Sequence, residues 1–174
     1  MWLLAANYDT QLLGNATSWT HGPYNPDSGA EVNIVISKPP LMWVPSMYRY
    51  EKSNLLKSLY IPDAIKRWNT LYKGYMKDCP KETTFFLPYD ALLKYPEDMM
   101  GLVAIELGLT QKEGRFKVAE GYMGKQMNET EKKFDVKHYT ESSYLDWYSK
   151  EDIQLAQSFV DWEVADFVGK YKKL

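Results

Sequence analysis

Apolar residues along this chain fall into two short strand-like runs and several helical stripes. The runs EVNIVIS (31–37) and TTFFLPY (83–89) are rich in β-branched or aromatic residues, and both are predicted to be strands. Between them, residues 63–78 repeat apolar side chains at the helical period. Strands that alternate with helices in this way predict an α/β fold whose sheet is mainly parallel.

Prolines mark the start of a helix directly after the first predicted strand. Pro39 and Pro40 are tolerated in a first helical turn, so residues 39–51 are predicted to form a helix. Pro45 lies inside this helix, removes one backbone hydrogen bond and is expected to kink it.

Two later helices have clear end signals. Residues 96–108 begin with a proline and two acidic residues and end at a glycine, which is the favoured order of helix-end residues. Ser149 and Asp152 have the spacing of a capping box at the start of the last helix. One apolar stripe continues from there and predicts a single helix that ends at Gly169.

The composition favours one soluble domain and argues against several classes of protein. A chain of 174 residues with 45% hydrophobic residues is long enough for one core. Its net charge of −2 argues against a broad nucleic-acid-binding face. Cys79 is the only cysteine, so no internal disulfide bond forms, and no apolar run approaches the roughly 20 residues of a membrane span. Because no secretory signal is visible, we expect a cytoplasmic protein, and no metal is expected.

A lysine and a serine near the end of the first strand are the best candidates for ligand binding. Ligands of open parallel sheets bind beyond the carboxyl ends of the strands, and Lys38 follows EVNIVIS directly. Ser46 lies about two helical turns further on, roughly 10 Å along the axis, which lets both side chains reach one anion if they share a face. The alternative is a solvated lysine and a serine that bonds to its own helix backbone.

The segment from Lys38 to Ser46 resembles the 3′-phosphate-binding strand and helix of sulfotransferases, in which a serine follows a basic residue by eight positions. These enzymes use 3′-phosphoadenosine-5′-phosphosulfate (PAPS) as the sulfuryl donor. The resemblance implies that PAPS is the cosubstrate and that Lys38 and Ser46 bind its 3′-phosphate. It also implies a sheet of the P-loop-NTPase type, flanked by helices.

Other segments resemble the same family in the same order. Residues 7–22 look like the stretch around the catalytic histidine, and the likeness implies that His21 takes a proton from the acceptor hydroxyl. Trp68 stands where these enzymes often have a tryptophan on the next helix. Residues 85–109 resemble a later strand and its helix, and residues 134–171 resemble the tail of bacterial and phage-type members. The likeness implies one sulfotransferase-like domain over residues 1–174.

One family element has no counterpart in this sequence, which opens with MWLLAANY, similar to the helix after the family's first strand and phosphate-binding loop. The chain is therefore expected to lack both. Orphaned backbone groups would cost about 1–3 kcal/mol each, so the strands at 31–37 and 83–89 should pair directly or borrow a strand from another copy.

Three functions stay open at this point. The first is sulfuryl transfer to a hydroxyl of a carbohydrate or small metabolite. The second is a noncatalytic, truncated binding or assembly module of the same fold, and self-association into a homo-oligomer stays open with it. The third is an unrelated α/β binding domain.

Overall fold

The chain has an α/β fold in a computed structural model that describes residues 8–9, 24, 26–28, 32–117 and 141–173. Three short strands and six α-helices form within these residues. The strands are β1 (Asn33–Ser37), β2 (Thr84–Pro88) and β3 (Lys172–Lys173). The helices are α1 (Pro40–Tyr50), α2 (Lys57–Asp78), α3 (Tyr89–Lys94), α4 (Pro96–Glu106), α5 (Lys150–Phe159) and α6 (Trp162–Val168). The predicted N-terminal helix in MWLLAANY falls almost wholly outside the described residues.

The sheet has the order β1-β2-β3. Strands β1 and β2 pair in parallel from Asn33 opposite Thr84 to Ser37 opposite Pro88. Of the two predicted arrangements, direct pairing and a strand borrowed from another copy, the structure has the first. Strand β3 is antiparallel to β2, so the sheet is mixed. The sequence did not indicate β3, because two consecutive lysines have no strand pattern and suit a helix C-terminus equally well.

Strand β2 lies at the centre of the core, and all five of its residues are buried. Its side chains alternate between two faces, as the pleat requires. Phe85 and Leu87 pack against α3 and α4, whereas Phe86 packs against α2 and α6. The sheet therefore lies between two helical layers, and a third cluster joins α1, α2 and α5. Among the described residues, no helix has the length and apolarity needed to span a bilayer.

The prediction of one continuous last helix is wrong. Residues 150–168 form two helices, α5 and α6, that meet at Val160 and Asp161 in extended backbone. Asn69 of α2 stabilises the break, because its side chain donates to the Phe159 carbonyl at 2.8 Å and accepts from the Asp161 N–H at 3.0 Å. The Asp161 side chain then caps α6 by accepting from the Val164 N–H. The predicted capping box of Ser149 and the end of the helix before Gly169 are both confirmed.

Helix α1 begins at Pro40, as predicted, and continues through Pro45. Proline has no N–H, so the carbonyl of Leu41, four residues earlier, loses its helical partner. The Tyr148 hydroxyl donates to this carbonyl at 2.9 Å. A side chain more than a hundred positions away thus replaces the missing bond.

The end of α1 contains an avoidable strain. The N–H of Ser53 donates to the Tyr48 carbonyl and that of Lys52 to the Arg49 carbonyl, a closure in which Lys52 has a φ of 49°. This left-handed conformation suits glycine better than any residue with a Cβ. We expect Lys52→Gly to raise the free energy of unfolding in urea by about 0.5–1 kcal/mol.

The matched control is Lys52→Ala, which removes the same charge but keeps the Cβ. It should give none of this gain, and equal stability of the two variants would show that the backbone conformation is not strained.

Candidate functional site

Lys38 and Ser46 come together at the carboxyl end of β1. Lys38 is the first residue after the strand, and Ser46 lies on the second turn of α1. The Lys38 ammonium nitrogen Nζ is 3.5 Å from the Ser46 hydroxyl oxygen Oγ, and both side chains are half-buried. The two groups, eight residues apart, therefore lie on one face, which is the condition for both to reach one anion.

Helix α2 holds the backbone of Lys38 from both sides. The indole N–H of Trp68 donates to the Lys38 carbonyl at 2.9 Å. The Lys38 N–H donates to the Tyr72 hydroxyl at 3.1 Å. Both rings are buried, Trp68 completely. Trp68 and Tyr72 are thus positioning residues, since they fix where the lysine side chain leaves the loop.

Ser46 combines the two alternatives left open by its sequence. Its hydroxyl donates to the Met42 carbonyl of its own helix at 3.1 Å, the bond expected of a structural serine. Its lone pairs still accept from Lys38, because a hydroxyl has one donor and two acceptor sites. A bound anion would accept a hydrogen bond from the Ser46 hydroxyl if that hydroxyl turned its hydrogen away from the Met42 carbonyl. The local hydrogen bond to Met42 would then be lost.

Two further side chains belong to this site and were missed in the sequence. The ring of Tyr89 lies under the Lys38 ammonium, 4.4 Å from Nζ to the ring centroid. Tyr89 could have been found from the strands, because Ser37 and Pro88 are opposite each other and the next residue of each chain segment is Lys38 and Tyr89.

Arg49 is the second of the missed residues. Its positive charge acts on Lys38, and it lies three positions after Ser46, which places the two on one side of α1. Arg49 could have been found in the sequence from this spacing, because residues three apart on a helix lie on the same side.

The environment of Lys38 disfavours its positive charge. Burial, and to a smaller extent the positive charge of Arg49, lower the pKa of the Lys38 ammonium to about 8. At pH 7 the ammonium is still about nine-tenths protonated. A half-buried cation with a like charge beside it is a group that a bound anion would stabilise.

The remaining predicted site residue, His21, lies outside the described residues, so its catalytic role stays a prediction. No group of three or more histidine, cysteine, aspartate or glutamate side chains with metal-binding geometry occurs within the described part of the chain.

Comparisons with protein-family models, with curated proteins and with solved structures gave no match to this chain. The likeness to sulfotransferases is therefore carried by the sequence motifs alone, and the case for a shared function depends on the geometry of Lys38, Ser46 and their neighbours.

Proposed function

We propose that this protein binds PAPS or its product adenosine 3′,5′-bisphosphate, with the 3′-phosphate held by Lys38 and Ser46. The observation that supports this most is the 3.5 Å approach of Lys38 Nζ to Ser46 Oγ at the carboxyl end of a parallel strand. Open α/β sheets bind their ligands beyond the carboxyl ends of their strands.

The composition of the site favours phosphate over other anions. Lysine is a compact point charge, and Arg49 adds a second positive charge, which suits a dianion better than a single carboxylate. Pro39 and Pro40 offer no backbone N–H groups at the start of α1, so recognition depends on side chains. A dianion bound here would also relieve the repulsion between the two cations.

The proposed reaction is sulfuryl transfer to a hydroxyl of a carbohydrate or small metabolite. The acceptor oxygen attacks the sulfur of PAPS, the bond from sulfur to the bridging phosphate oxygen breaks, and His21 takes the hydroxyl proton. Adenosine 3′,5′-bisphosphate leaves with the electron pair. The fold in this proposal is a P-loop-NTPase-like sheet flanked by helices, and the parallel pairing of β1 with β2 supports it.

Calorimetric titration with two nucleotides tests the binding. Adenosine 3′,5′-bisphosphate should bind more tightly than adenosine 5′-monophosphate, which lacks the 3′-phosphate. Lys38→Met should weaken the bisphosphate by about 10- to 100-fold, because a charge-assisted hydrogen bond is worth about 1.5–3 kcal/mol. Ser46→Ala should weaken it about 5-fold.

Lys81→Met is the matched control, because this exposed lysine precedes β2 and so lies at the amino ends of the parallel strands, opposite the proposed site. It should leave the affinity unchanged. Equal affinity for the two nucleotides, or an unchanged affinity in Lys38→Met, would contradict the proposal.

A second assay separates the enzyme from the noncatalytic binding module. Turnover of PAPS with a panel of hydroxyl acceptors, lost in His21→Ala, would support sulfuryl transfer. Tight binding of the bisphosphate without turnover would support the binding module.

A further inference from the structure

A second recess opens at the same edge of the sheet, next to the lysine site. It is a cavity of about 180 Å³ that lies at the ends of β1 and β2 and against α6. Its lining includes Ser37 and Pro88 at the strand ends, Pro39 and Pro40 before and at the start of α1, Asp90 of α3 and Trp162 of α6. Lys38 and Ser46 are not among its lining residues, so it is distinct from the proposed phosphate site.

The wall of this cavity is poor in hydrogen-bond donors. Three of its residues are prolines, which have no N–H. The hydroxyl of Ser37 is already used, since it donates to the Val168 carbonyl at 2.5 Å. Phosphates and carboxylates need several donors, and the indole N–H of Trp162 is the one other side-chain donor among the lining residues.

Two side chains give the cavity a preference for positive charge. Asp90 supplies a half-buried carboxylate, and none of the ion pairs found among the described residues involves it. Trp162, 59% exposed, supplies an indole ring, the aromatic group that attracts cations most strongly. A carboxylate and an indole around an apolar recess suit an ammonium group with an apolar body.

The volume limits the size of the ligand. An apolar cavity of about 150 Å³ accommodates one benzene ring, so a cavity of about 180 Å³ has room for one ring and a short arm. We propose that this cavity binds a small organic cation, in which a protonated amine pairs with Asp90 and a single ring packs on Trp162 and the prolines.

This inference goes beyond the proposed nucleotide site and does not require it. Lys38 lies between two lining residues, Ser37 and Pro39, so the two sites are adjacent along the chain. If both sites are occupied as proposed, a hydroxylated amine of this size is the acceptor class to assay first.

Three probes of nearly equal size test the proposal: 2-phenylethylamine, 2-phenylethanol and phenylacetate. We expect calorimetry to give the amine at least a 10-fold advantage in affinity over the neutral and the anionic probe. Asp90→Asn should reduce this advantage to less than 3-fold, and Asp90→Glu should keep most of it. Lys81→Met should bind the amine as the unchanged protein does. The titration contains no nucleotide, so its outcome does not depend on the nucleotide proposal.

A readout in the unchanged protein covers the case in which Asp90 variants fold poorly, since Asp90 also lies in the first turn of α3. The indole N–H signal of Trp162, assigned by its loss in Trp162→Phe, should shift on addition of the amine and not of phenylacetate. Equal affinities for the three probes, a preference for phenylacetate, or an unmoved Trp162 signal would each overturn the proposal.

Discussion

Replacing Lys38 by methionine is expected to make the protein more stable at pH 7, by about 1–3 kcal/mol, while it weakens nucleotide binding. The pKa of Lys38 falls from 10.5 to about 8 on folding, which corresponds to a cost of roughly 3 kcal/mol for keeping the cation in this environment. Methionine has a similar length and no charge. Part of the gain is offset because the contact with Tyr89, about 0.5–2 kcal/mol, loses its cation.

The stability gain has a defined pH dependence. The folded state binds the Lys38 proton less tightly than the unfolded state, so below pH 8 the whole cost is present in the unchanged protein. As the pH rises from about 8 to about 10.5, the folded lysine is neutral before the unfolded one, and the cost disappears. The stability difference between Lys38→Met and the unchanged protein should therefore shrink across this window.

Urea unfolding at pH 7, 8.5 and 10, in buffers without phosphate or sulfate, measures this difference. Lys81→Met again serves as the control for the loss of an exposed lysine. Lower stability of Lys38→Met at pH 7 would mean that the lysine is a structural residue.

The same titration predicts how nucleotide affinity depends on pH. Only the protonated lysine holds the phosphate, so the affinity of the unchanged protein should fall about tenfold per pH unit above pH 8. A stabilising substitution that removes binding is the pattern expected of a residue kept for function.

Tyr148→Phe is expected to lower the free energy of unfolding by about 1–3 kcal/mol. The substitution removes the only hydroxyl that donates to the Leu41 carbonyl among the described residues, and Pro45 cannot replace it. A carbonyl left without a partner costs about this much when it is partly buried. The Tyr148 side chain is half-buried, and this burial raises the pKa of its hydroxyl.

A double-mutant cycle in urea tests this explanation. In the Pro45→Ala background, the new N–H of residue 45 donates to Leu41, so the cost of Tyr148→Phe should fall below 1 kcal/mol. Tyr171→Phe is the matched control: its buried hydroxyl has no hydrogen-bond partner among the described residues, so its loss should be neutral or stabilising. An equal cost of Tyr148→Phe in both backgrounds would show that Tyr148 acts through packing instead.

The candidate site shows which of its contacts can be inferred from residues that are close in the sequence. The approach of Lys38 to Ser46 could be inferred from the sequence, because both lie on one strand-helix connection and are eight positions apart. The ring of Tyr89 was not, since it enters the site through the pairing of two strands fifty residues apart. The hydrogen bonds from α2 have the same origin. The family resemblance marked the position of Trp68, but its bond to the Lys38 carbonyl joins residues 30 positions apart.

The last two helices show that a clear local pattern can also predict the wrong structure. The apolar stripe through residues 150–168 is continuous, and intrinsic propensity favours one helix. Asn69 instead satisfies the carbonyl of Phe159 and the N–H of Asp161, two groups that an unbroken helix would use itself. A hydrogen-bonding side chain from another element thus outweighs local periodicity. The apolar pattern of residues 150–168 contains no sign of this contact.

The sequence by itself determined strands β1 and β2, the starts of α1, α4 and α5, and the spacing between lysine and serine. Each depends on interactions within a few neighbouring residues. The tertiary structure decided the antiparallel β3, the break before α6, and the hold of α2 on Lys38. The bonds behind the last two join residues 30 to 92 positions apart, and their free energy appears only when the chain has folded.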